Sequence, residues 1–227
     1  MVCFEVTEKA KGMDDMKRLK TCLPALVVVG VLALFSFSDI FAQAPAPGTA
    51  APAARLLRIT DMTKLGKDAL QRAPSLGNRG PKGRNWGTFD VEFETYPQWI
   101  DDMSITFTVM VDNPRAVENE KRFSLFTVTS LYRDIAMGRD HKAGVVLLPT
   151  ALERYGNMIG FSVQIYVSGE LAGEAGVGDG LLRTQDKWWS NPQITGAPNV
   201  QKLDGYLLER SKSVFALVDP DSYEVSR

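Results

Sequence analysis

Three acidic side chains, Asp90, Glu92 and Glu94, recur at every second position of a stretch whose alternate places are filled by Phe89, Val91 and Phe93. On an extended strand the three share one face at ~7 Å intervals, a spacing at which carboxylates can hold a cation or divide acid and base roles. A solvated strand face accounts for them more simply. A hydrolase built on them ranks last among the function classes, because no nucleophile with a neighbouring base accompanies them. His141, the single histidine, lies between Asp140 and Lys142 without partners at metal or triad spacing, and it reads as a solvated turn residue. Gly176-Val177-Gly178-Asp179-Gly180 lacks the Lys and Ser or Thr of a phosphate loop and reads as a flexible hairpin. Trp188 and Trp189, with Trp99 or Tyr206 as further aromatics, have ring faces suited to stacking on a sugar. One of two adjacent residues on a strand must point inward, which weakens that platform. These residues call for no metal and no cofactor, and the chain is expected not to be an enzyme.

The elements that would carry these residues are strands. Residues 88–95 and 104–111 alternate apolar and polar side chains, and 159–167 does the same with Phe161, Val163 and Ile165. A one-residue slip in the first would bury three carboxylates, so its register is fixed. Residues 122–132 are apolar on both faces, as in a central strand, and 145–148 form a fourth strand entered through a turn at 139–142. Residues 149–156, proline first and glycine last, predict about two turns of helix crossing between sheets. Residues 56–70 suggest an edge strand and a short helix, 173–180 a loop, and 206–209 with 213–218 a hairpin. The expected fold is all-β with minor helix, an immunoglobulin-like β-sandwich of about seven strands.

Ahead of these strands the chain changes character. Residues 16–20 are basic, residues 23–37 form an apolar run, and small residues fit cleavage after Ala42; this is a secretory signal pattern with Met16 as the initiator. The run is short of the ~20 apolar residues that span a bilayer, so no transmembrane segment is expected after cleavage. Cys3 and Cys22 both fall in this leader, leaving no disulfide to the exported protein. Residues 43–54, rich in Ala and Pro, read as an extended tether. The organisation is therefore a leader over 1–42, a tether over 43–54, a basic arm over 55–85 and the sandwich over 86–227.

A net charge of -1 conceals an asymmetry. Residues 55–84 hold eight basic side chains, Arg55, Arg58, Lys64, Lys67 and Arg72 among them, against Asp61 and Asp68, while the remainder is acidic. The arm is suited to an anionic surface or a protein partner, and nucleic acid is an implausible target for an exported chain. Candidate partner-binding residues are thus Arg55, Arg58, Lys64, Lys67 and Arg72, and candidate glycan-binding residues are Trp188 and Trp189.

The leader, the Ala-Pro tether, Asn85-Trp86-Gly87-Thr88-Phe89-Asp90-Val91-Glu92-Phe93 and Asp204-Gly205-Tyr206-Leu207-Leu208-Glu209-Arg210 together resemble the secreted β-sandwich protein family of the type IV pilus gene cluster in mucin-degrading verrucomicrobia. The resemblance implies an immunoglobulin-like fold, a periplasmic or outer-membrane location, association with pilus assembly and no active site. The leader departs from the pilin type, which favours an accessory role over a filament subunit. The leading expectation is a non-enzymatic exported envelope protein that contacts pilus-assembly proteins through sheet edges and its basic arm. The alternative is a glycan-binding (mucin-binding) module using exposed aromatics.

Overall fold

A computed structural model describes residues 53, 56–74, 83–118 and 120–226, all within the compact unit Pro47–Arg227. The expected leader, most of the tether, and Arg55 lie outside the described residues.

Among the described residues ten strands form two sheets. In the first, β1 (Leu57–Met62), β3 (Asn85–Thr95), β6 (Gly138–Leu147) and β10 (Leu207–Glu209) lie in that order, and β2 (Leu70–Arg72) pairs with the other end of β3. In the second the order is β8 (Glu170–Gly178), β7 (Asn157–Val167), β4 (Ile100–Asp112), β5 (Phe123–Ile135) and β9 (Val200–Leu203). All pairings are antiparallel except β5 with β9. The architecture is all-β with minor helix, and the sheets are layered as a sandwich.

Alternation dictates the core. Phe89, Val91 and Phe93 of β3 face Ile105, Phe107 and Val109 of β4 and Phe161, Val163 and Ile165 of β7, all fully buried in one cluster. The Phe161 ring lies between Phe89, at 4.8 Å, and Phe107, at 6.5 Å, and so joins the two sheets. Helix α1 (Pro149–Tyr155) leads from β6 of one sheet to β7 of the other, as its proline and glycine signals predict. Its cap, Gly156, takes φ 99° and presses against the Asp112 carbonyl, where a Cβ would collide.

Several elements differ from the sequence reading, each because tertiary pairing outweighs local composition. Residues 56–72 contain no helix: β1 and β2 both pair with β3, so the basic arm is part of the first sheet and the boundary at residue 86 runs through it. The glycine-rich stretch expected as a loop is β8, whose backbone bonds to β7 from Val167↔Glu170 to Gly160↔Gly178. Residues 139–142 lie within β6 rather than in a turn, with Asp140 at φ 67° beside an irregularity in the β3–β6 register. The second arm of the C-terminal hairpin is absent. Residues 210–226 instead run as a strap of turns, and Phe215 buries itself edge-on against Trp86, 5.7 Å away.

Replacing Phe161 with alanine removes the ring shared by both sheets. The expected loss is about 3–5 kcal/mol of unfolding free energy, read from the urea midpoint; a loss below ~1 kcal/mol would mean that the site collapses to refill the space.

Candidate interaction surfaces

Trp188 and Trp189 occupy a 3-10 turn, not a strand. Trp188 is 1% exposed, lies over Gly160 and donates its Nε1–H to the Val177 carbonyl at 3.3 Å. A buried indole has no face to give a sugar, so the expected Trp188–Trp189 stacking platform is not formed. Trp189 is half-buried, its ring packed on Gly176, its edge against Trp188, and its Nε1–H bonded to Glu174 at 3.1 Å. Lys187 also bonds Glu174, at 2.5 Å, and the two donors hold that carboxyl below its ordinary pKa. Gly176, expected in a loop, and Gly160, expected within a strand, are both landing sites for indoles.

The exposed aromatics are elsewhere. Tyr96 is 70% and Trp99 61% exposed, both in the β3–β4 connection, and Tyr96 shares an open groove of about 460 Å³ with Met137 and Arg139. Trp99 adjoins the first residue of β4, whereas Met110, ten residues along that strand, packs in the Trp188 cluster. The two aromatic groups are thus separated by roughly 33 Å of strand and form no common site. The only sequence signal for the exposed pair was aromatic residues set among breakers at Tyr96-Pro97-Gln98-Trp99.

The basic residues line an edge. Arg58 of β1 reaches Glu94 at 3.5 Å while remaining largely in solvent. Lys64, Lys67 and Arg72 are exposed and make no ion pair among the described residues. Arg72 lies on β2, which is exposed along its length and pairs with β3 alone. Arg58 and Arg72 lie on edge strands and Lys64 and Lys67 in the connection between them, so the basic arm adjoins the sheet edge.

The carboxylate row is more engaged than a solvated face. Glu92 pairs with Lys142 at 3.4 Å. Asp90, its side chain only 23% exposed, accepts a 3.0 Å bond from the Tyr223 hydroxyl at Oδ2, while Oδ1 is buried without a hydrogen-bond partner, against Gly144. Burial raises the Asp90 pKa, and Lys142 and the Tyr223 bond, both lowering it, do not cancel the effect. The buried Arg210 guanidinium stacks on Tyr223 at 4.0 Å and donates to the Val218 carbonyl, fixing the strap.

His141 is a second anchor rather than a solvated residue. Its Nδ1 is 2.7 Å from Glu224 and its Nε2 is 3.3 Å from the Thr95 hydroxyl, and its ring stacks on Phe93. Among the described residues no group of three or more His, Cys, Asp or Glu is arranged to hold a metal. Through Tyr223 and Glu224, Asp90 and His141 tie the C-terminal strap to β3 and β6.

Because the folded state favours protonated Asp90, that residue's contribution to stability is complete in acid and declines as pH rises through the folded pKa. Asp90→Asn removes the titration. Relative to the parent protein, the variant should gain stability between about pH 4 and about pH 7, measured as the shift in urea midpoint at each pH; an equal difference at both would show that Asp90 carries no pH dependence.

The chain resembles a crystal structure of a protein from Akkermansia muciniphila, with a TM-score of 0.58 and 19% identity over 75% of this chain and 93% of that one, a likeness of fold. No curated protein matches it. One family model matches residues 60–227, from the basic edge strand through the C-terminal strap, and the chain belongs to that family.

Proposed function

We propose that the protein is a non-enzymatic, exported envelope protein associated with type IV pilus-like assembly, and that it binds protein partners through its basic sheet edge. The observation that carries this reading is the location of Arg72 on the edge strand β2 and of Lys64 and Lys67 in the connection from β1 to β2, all exposed and without ion pairs among the described residues, at the margin of the first sheet. An open edge gives main-chain hydrogen bonds to an incoming strand, and cationic side chains beside it select an acidic partner and speed the encounter. The secretory signal pattern supports export to the periplasm or outer membrane. The likeness to an Akkermansia muciniphila fold agrees with the verrucomicrobial resemblance from which the pilus association is drawn.

Tagged protein should capture specific envelope proteins, pilus or secretin components among them, from native membranes. Replacing Lys64, Lys67 and Arg72 together with glutamate should reduce that capture by about tenfold or more, with stability unchanged because all three side chains are solvated. Undiminished capture by the folded triple variant, or a free monomer with no envelope partner, would overturn the reading.

A further inference from the structure

Residues 179–199 fold back over the outer face of the second sheet and build a small second core on it. Met110, Leu125, Leu182 and Trp188 are its buried members, with Ile159, Ile194 and Val200 packed against them. Beside this core lies an open groove of about 450 Å³, within the ~300–1,000 Å³ range of ligand pockets. Its floor is Met110, Ile159, Leu182, Ile194 and Val200, with Phe123. Its polar lining consists of four carboxamides, Gln185, Asn191, Gln193 and Asn199, and no ionisable side chain among the described residues lines it.

That composition narrows the occupant. The side chains that line it offer no ion pair to a lysine or aspartate head, so the lining favours a neutral group. The floor is mainly aliphatic and its one ring, Phe123, is buried, so a sugar finds no exposed aromatic face. A carboxamide presents a donor and an acceptor side by side, the complement of a peptide group. The Asn191 oxygen is already committed to the Gln193 N–H at the start of α2 (Pro192–Thr195), which leaves its amide N–H groups for a ligand. Val200 also opens β9, an edge strand that pairs only with β5, so an extended segment entering here meets main-chain groups as well as a pocket.

We infer that this groove is a docking site for an uncharged peptide segment, taking one aliphatic side chain into the pocket and holding the adjoining main chain with its carboxamides. The inference rests on the reading of the protein as a binder of protein partners, and it adds a second, neutral contact to the basic edge.

The test uses the purified protein and N-acetyl-leucinamide, N-acetyl-lysinamide, N-acetyl-aspartamide and N-acetylglucosamine as probes, followed by backbone amide chemical shifts. The leucine probe should move the resonances of Met110, Leu182, Ile194 and Val200 and saturate in the millimolar range expected of a single anchor. The other three should bind about tenfold more weakly or not at all. Ile194→Trp, which fills the groove, should abolish the response. Gln193→Glu, at an exposed position that does not threaten folding, should weaken it about fivefold by placing a charge at the rim. Equal binding of the lysine or sugar probe, or no response to the leucine probe, would overturn the inference. Envelope capture run beside it separates the two proposals: capture that is intact in wild type and in Ile194→Trp, with no leucine response, removes the pocket and leaves the basic edge standing.

Discussion

Phe161 is wedged between Phe89 of the first sheet and Phe107 of its own, and this contact sets where everything else can go. A strand places side chains alternately on two faces, so fixing Phe89, Val91 and Phe93 inside forces Asp90, Glu92 and Glu94 outside. The same constraint on β4 and β7 fixes the outer positions of the second sheet. Once the inner faces are locked, the remaining chain has only outer faces and edges on which to build. Both features with functional promise, the basic margin and the carboxamide-lined groove, are built there.

Each outer face is partly roofed by irregular chain. Over the second sheet, residues 179–199 set Trp188 on Gly160 and Trp189 on Gly176. Over the first, residues 210–226 set Phe215 beside Trp86 and hang Tyr223 on Asp90, whose buried oxygen fits only because residue 144 has no side chain. In both cases strand glycines make room for a large group arriving from far along the chain. The roofs explain why β5 is buried on both faces in its first half, Phe123 to Phe126, and not in its second.

The acidic and basic residues divide along these lines. Acids on the roofed face are drawn into the strap, with Asp90 held by Tyr223 and Lys142. Bases on the β1–β2 margin have no roof and stay in water. Burial of the former serves cohesion, and exposure leaves the latter free for the encounter proposed above, because a solvated cation keeps its reach while a buried one spends it on its neighbours.

What the sequence determined was whatever depends on local alternation or local punctuation. The inward set Phe89, Val91 and Phe93, the inner face of β7, and α1 between Pro149 and Gly156 are all legible because each rests on the geometry of a single segment. What only the tertiary structure decided was whatever depends on a partner distant in sequence. The glycines of β8 look like breakers until β7 supplies hydrogen bonds for their backbone, and Trp188 looks like a ligand platform until Gly160 receives it. His141 looks solvated until Glu224, eighty-three residues on, reaches its ring. The groove has no sequence signature, since its lining comes from β4, β5, β7, β9 and the roof between β8 and β9. The basic residues were plain in the sequence. That Arg58 and Arg72 lie on edge strands was not, because strand pairing is a property of two segments and each was read alone.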